Sequence, residues 1–168
     1  MEPVRVAVSS LMAHSMSSFN FQTNGYSCGT IALVNSVKVL DMELSYDDAK
    51  RLAGTTYRDG TSQRGLIRAI ESLGLKATEY RTANADNAWK WLHKWADTCP
   101  VILLVDGYLT VGNSHWVTAV GRINGRVIVV DPTANTDNGE NGTHPYSKED
   151  LVTRWKLRIC YAIRVCKQ

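Results

Sequence analysis

No run of the ~18 apolar residues that a membrane-spanning helix requires occurs in the sequence. The opening residues, MEPVRVAVSSLMAHSM, have no basic region followed by an unbroken apolar stretch, so no secretory signal is read and a cytoplasmic location is the default expectation. Charge of one sign is scarce as well. With 19 basic against 16 acidic residues the net charge is +3, too mild and too scattered to indicate a nucleic-acid partner. Cysteine is sparse, at four, and no pair has C-x-x-C spacing, which excludes zinc-ribbon and thioredoxin-type motifs. His93 and His144 lack metal-ligand spacing, and Asn135-Thr136-Asp137-Asn138-Gly139 is not followed by the glutamate a calcium loop needs. No metal and no cofactor is therefore expected. There is also no internal repeat and no long linker, so residues 1–168 are expected to form one domain.

What is present is a good supply of apolar residues, 44% of 168, enough for a core without disulfide staples. Free thiols are accordingly expected, with Cys99, Cys160 and Cys166 buried beside apolar runs. Val4–Val8 reads as a short strand and Ser9–Gly25 as a polar stretch. Cys28–Leu40 has few polar positions (Asn35, Ser36 and Lys38 among them), the mark of a helix buried on most sides. Ser45 with Asp48 forms a capping box for a helix toward Ala53. The hydroxyls of Asp59-Gly60-Thr61-Ser62 can cap a helix Gln63–Leu73, which Gly74 ends. Leu75–Tyr80 is a strand, and Asp86–Trp95 a helix whose Trp89, Trp91 and Trp95 are expected in the core. Val101–Val105, His115–Val120 and Val127–Val130 are further strands, with Asn124-Gly125 as a hairpin signal between the last two. Thr133–Pro145 reads as a surface loop, Ser147–Asp150 as the cap of a helix to Trp155, and Arg158–Val165 as a final strand. Helices first and an antiparallel sheet later indicate an α+β fold.

Cys28 stands where a turn, Tyr26-Ser27, leads into the buried helix. A helix N-terminus favours a thiolate over a thiol, and thiolate is the nucleophilic form. Gln22 lies just upstream, and its amide N–H with the Cys28 backbone N–H would make an oxyanion hole. His115 opens a strand, and Asp131 ends the next one, where a carboxylate can fix the imidazole tautomer. Taken singly, each has a plainer reading: Cys28 and His115 as packed core residues, Asp131 as a turn residue before Pro132. In this chain order they form a set of nucleophile, base, orienting acid and oxyanion donor.

With these residues the sequence resembles the bacteriocin-processing peptidases, a papain-like family that cleaves double-glycine leader peptides and often sits at the front of ABC transporters. The resemblance runs from Gln22 to about Trp155. Gln22 and Cys28-Gly29 match the oxyanion glutamine and nucleophile. Asp59-Gly60-Thr61-Ser62, Leu66-Ile67-Arg68-Ala69 and Leu73-Gly74-Leu75 match the segment after the second helix. Pro100-Val101-Ile102, Ser114-His115-Trp116-Val117 and Asp131-Pro132 match the strands carrying base and acid. Ser27 departs from the pattern, which often has an acidic residue there. The resemblance implies a papain-like fold with the nucleophile on the central helix. It also implies cysteine-peptidase activity through a thioester, and a cleft lined by Gly29, Trp116 and Ser114. Tyr108 and Thr110 are further candidates for that cleft. The implied partner is a peptide or protein substrate, with a separate transporter or partner protein because no transporter domain is present.

Strand geometry supplies a separate expectation. If Asn124-Gly125 made a simple two-residue hairpin, Asp131 would lie opposite Thr118, on the face away from His115. A triad therefore requires an odd-residue loop, or an equivalent bulge further along, to bring Asp131 opposite Val117. Three other readings share these residues. They are a thiol acyltransferase (transpeptidase, transglutaminase-like or phytochelatin-synthase-like), a cell-wall peptidase, and a non-catalytic module that binds a peptide or partner protein.

Overall fold

The computed structural model describes residues 19–106, 113–133 and 143–168. Helices α1 (Cys28–Val39), α2 (Tyr46–Ala53) and α3 (Gln63–Ser72) come first, then strand β1 (Leu75–Tyr80) and helix α4 (Ala85–Trp95). Strands β2 (Val101–Asp106), β3 (Ser114–Ile123), β4 (Arg126–Val130) and β5 (Thr143–Tyr146) follow. Helix α5 (Lys148–Trp155), a 3-10 turn (Lys156–Arg158) and strand β6 (Ala162–Lys167) complete the chain. The strands form one antiparallel sheet in the order β1-β6-β2-β3-β4-β5.

Caps place the helices where the sequence expects them. Ser45, Ser62, Asn84 and Ser147 each accept from a backbone N–H in the first turn, satisfying a donor that the helix itself leaves open. Gly54 and Gly74, at φ +65° and +76°, sit beyond α2 and α3 in the left-handed region that a helix exit uses. The sheet is covered on both faces, which is why β2 reads as an unbroken apolar run instead of alternating. Ile102, Trp116 and Ile163 pack with α1, α2 and α3, while Leu103, Val117 and Val129 pack with α4 and α5. Helix α1 is buried from Gly29 through Val37. Trp91 stacks on Tyr80 at 4.3 Å, and Trp89, Trp91 and Trp95 are half-buried against the second cluster.

Three expectations are corrected. Within the stretch read as a loop, Thr143–Tyr146 is an edge strand paired with β4. Pro145 is tolerated there because an edge strand need not donate on its outer side. The last strand starts at Ala162 rather than Arg158, since Ile159 and Cys160, at φ 54° and 42°, break the extended backbone. Finally, Cys99 and Cys166 are not free thiols but a disulfide, with S–S 2.04 Å, while Cys28 and Cys160 remain free. Antiparallel docking causes this pairing: the Val165 N–H donates to Pro100 O, drawing β6 against the entry to β2. Val4–Val8, Tyr108, Thr110 and Asn135–Gly139 lie outside the described residues. No helix among the described residues is long and apolar enough to cross a membrane.

The disulfide closes a loop of 67 residues, and cross-links of that span stabilise by about 2–4 kcal/mol. Cys166→Ser is expected to lower the urea midpoint accordingly. Cys28 reactivity should stay unchanged, because the bond lies at the end of β2 opposite Asp106. Equal midpoints for the variant and the wild type under non-reducing conditions would show that the bond does not form.

Candidate active site

Cys28 is the first residue of α1, where the helix leaves its early N–H groups without internal partners. The Ser27 carbonyl accepts from Ile31 N–H at 2.9 Å, which starts the helix, and the Ser27 side chain does not cap it. The Gly29 N–H in this first turn and the Trp116 N–H from β3 both favour the thiolate form of Cys28. Burial pushes the Cys28 thiol up. The His115 hydrogen bond, the Trp116 N–H, the imidazolium charge and the Gly29 N–H more than offset it, and the thiol lies below its ordinary value.

His115 reaches this point from β3, and the register explains how Asp131 joins it. Asn124 and Gly125, at φ 50° and 77°, make a tight two-residue turn that pairs Ile123 with Arg126. The ladder then shifts between Ala119 and Gly121, so that Ala119 faces Val129 and Thr118 faces Val130. Val120 is the extra residue of a bulge. One position further on, Asp131 comes opposite Val117, on the His115 side of the strand, as the triad requires. His115 Nε2 lies 2.6 Å from Asp131 Oδ1, with His115 9% and Asp131 3% exposed. That leaves Nδ1 for the Cys28 thiol, to which His115 is hydrogen-bonded.

Burial opposes charge on His115. The hydrogen bonds to Asp131 and Cys28 and the charges of both outweigh it, lifting the imidazole to about 9. Burial likewise pushes Asp131 up, but the His115 hydrogen bond and charge, the Thr133 N–H and the Arg154 charge bring it below the usual carboxylate range. The arrangement thus favours a thiolate–imidazolium pair backed by a carboxylate, which is the equipment for nucleophilic attack on a carbonyl.

Gln22 is brought to the same place by its backbone, whose N–H donates to Pro132 O at 2.9 Å. Its Nε2 donates to Asn24 O at 2.6 Å, and its buried Oε1 has no partner among the described residues. The segment is clamped to α1 by Asn35, which accepts from Asn20 N–H at 2.8 Å and donates to Asn20 O at 3.1 Å. Gly29 and Trp116 are packed into the body of the protein and are not an open lining. A Cβ on Gly29 would fall 2.5 Å from Thr61 Cβ, and Trp116 is 4% exposed with its indole N–H donated to Thr61 O at 3.0 Å. Ser114, at the start of β3, is exposed.

Sequence reasoning missed the residues that hold these parts together. Thr30, Thr55 and Thr61 form a buried hydroxyl chain, at 2.8 and 2.7 Å, beneath the Cys28-Gly29 turn. Thr133 N–H donates to Asp131 Oδ1 at 2.9 Å. Asn35 did carry a signal, as an amide in an otherwise apolar helix. The threonines carried none. Among the described residues no cluster of histidine, cysteine and carboxylate groups is suited to a metal ion.

The peptidase C39 family matches the chain over residues 17–162. Solved structures with the same fold include the peptidase domain of Streptococcus ComA, a bifunctional ABC transporter involved in quorum sensing. It is 22% identical, with a TM-score of 0.69, covering 89% of this chain and 97% of that one. A double-glycine-motif protease from an AMS/PCAT transporter, solved with its leader peptide, is 16% identical with a TM-score of 0.70, covering 90% and 91%. A C39-like peptidase from Bacillus anthracis is 14% identical with a TM-score of 0.62, covering 90% and 94%. No curated protein sequence matches the chain.

Proposed function

Because the chain belongs to the peptidase C39 family, we propose that Cys28, His115 and Asp131 are its catalytic triad and that Gln22 completes the oxyanion hole. The protein is a cysteine peptidase of the papain-like fold. The observation that carries the site reading is the placement of His115, 2.6 Å from Asp131 through Nε2 and acting on the Cys28 thiol from its other side.

In this mechanism His115 takes the Cys28 proton at Nδ1 while Asp131 holds the ring through Nε2–H. The thiolate attacks a peptide carbonyl, and the oxyanion is met by the Cys28 backbone N–H and by the Gln22 N–H not given to Asn24. Collapse expels the amine, which leaves with the His115 proton, and a thioester remains. Water, deprotonated by His115, then hydrolyses the thioester and restores the thiol.

The substrate we propose is a leader-bearing peptide or small protein cut behind a glycine pair, with exposed Ser114 at the cleft mouth and a separate transporter or partner protein receiving the product. The leader-bound double-glycine protease of the same fold supports this class. For location, the Cys99–Cys166 bond favours an oxidising compartment over the cytoplasmic default, since disulfides rarely persist in a reducing one.

Incubation with a leader peptide ending in Gly-Gly and a short tail, followed by mass measurement, tests the function. Separate leader and tail masses are expected from the wild type and none from Cys28→Ala. An intact peptide with the wild type would overturn the proposed substrate. An adduct formed with an added amine, in place of free leader, would replace hydrolysis with acyl transfer.

A further inference from the structure

The imidazole of His115 is held from behind by more than its carboxylate. Thr133 Oγ1 lies 3.3 Å from His115 Nε2, the same nitrogen that Asp131 Oδ1 approaches at 2.6 Å. The backbone N–H of Thr133 also donates to that Oδ1, at 2.9 Å. One residue therefore touches both members of the His115–Asp131 pair. Pro132, between them, fixes its own φ through its ring, and its carbonyl accepts the Gln22 N–H at 2.9 Å. Three consecutive residues thus hold the carboxylate, the back of the imidazole and the glutamine in one turn.

We propose that Thr133 is a positioning residue for His115, its hydroxyl accepting a second leg of the Nε2–H hydrogen bond while its N–H stops the Asp131 carboxylate from rotating away. The physical need is rotational. An imidazole turns about its Cβ–Cγ bond in a broad well, so a single acceptor behind it leaves the ring plane free to swing. Two acceptors on separate atoms fix that plane, and with it the aim of Nδ1 at the Cys28 sulfur. The charged groups facing the ring are Cys28 from α1 and Asp131 from beyond β4. Arg154 acts on Asp131 from α5. Of these only Asp131 accepts from Nε2–H, and the Thr133 hydroxyl is the second acceptor beside it. The inference rests on the triad reading above.

Iodoacetamide alkylation of Cys28 across pH tests it without knowledge of the substrate. Thr133→Val keeps the shape and the backbone N–H but removes the hydroxyl, and Thr133→Ser restores it. In Thr133→Val, alkylation near pH 6 is expected to slow about fivefold, as for one lost hydrogen bond of ordinary strength. The upper limb of its profile should move down from about 9, because the imidazolium has lost an acceptor. With a cleaved peptide in hand, kcat should fall by a similar factor at unchanged KM. Thr133→Ser should return to within about twofold of the wild type by the same hydrogen-bond argument. A Thr133→Val profile that overlays the wild type would overturn the proposal. So would a Thr133→Ser variant as slow as Thr133→Val, since the methyl group's packing would then be what matters. If Thr133→Val fails to fold, Thr133→Ala, at a half-buried position, is read in its place. A wild-type Cys28 no faster than an ordinary thiol would remove the triad reading, and this inference with it.

Discussion

His115→Ala is expected to cut peptide cleavage by roughly a thousandfold or more, the scale of losing the general base proposed above together with the partner that would activate Cys28. Its effect on the thiol should be visible without any substrate. The largest influence on Cys28 is burial, which raises its pKa, and what outweighs burial is chiefly His115. Removing the imidazole leaves burial opposed only by the Trp116 and Gly29 N–H groups, so the thiol moves up toward its ordinary value. Near pH 6 the thiolate fraction, and with it the alkylation rate, should fall by about a hundredfold for every two pH units of that move. Asp131→Asn has a different signature. It removes the charge behind the imidazole, so the upper limb, set by His115 at about 9, should move down. The wild-type pair also makes folding stability depend on pH. The His115 contribution is fully present below 6.5 and is lost as pH rises through about 9. The Asp131 contribution is present above 3.8 and lost as pH falls through its lowered value. Unchanged alkylation in His115→Ala would show that the sulfur owes nothing to the imidazole.

The helices and most strands were legible because their signals are local. A capping serine or a largely apolar run identifies a helix wherever it packs, and Leu75–Tyr80 appears as read. The Asp131 problem was legible in a stricter sense. Pleat parity alone required an irregularity, and the bulge at Val120 supplies it while the turn keeps its two residues. What could not be read depends on contacts distant in sequence. Cys99 and Cys166 stand 67 residues apart with no motif between them, and only the docking of β6 on β2 brings them together. Strand β5 is polar and carries Pro145, so nothing in its own composition marks it; the free edge of β4 does. The packing of Gly29 against Thr61 joins α1 to the loop before α3 and has no sequence signature either.

That last contact decides the second large effect. Helix propensity alone says that Gly29→Ala should stabilise α1, by about 1 kcal/mol. The structure reverses the sign. A Cβ at this position would lie 2.5 Å from Thr61 Cβ, 2.7 Å from Thr61 Oγ1 and 2.9 Å from Trp116 Cδ1. Thr61 has little room to retreat, because its hydroxyl is bonded to Thr55, which is bonded to Thr30, and its carbonyl holds the Trp116 indole. Something must shift by several tenths of an ångström, and both candidates adjoin the site: α1 carries Cys28 and β3 carries His115 beside Trp116. Overpacking of this kind costs about 1–3 kcal/mol. A displacement of 1 Å between reacting groups is worth about a hundredfold in rate. Gly29→Ala is therefore expected to lower the thermal midpoint and to slow both alkylation of Cys28 and peptide cleavage. Gly25→Ala is the control, since a Cβ there meets nothing within 4 Å, and it should leave both measurements unchanged. A Gly29→Ala variant as stable and as reactive as the wild type would show that the Cys28-Gly29 turn is not held against Thr61 in solution.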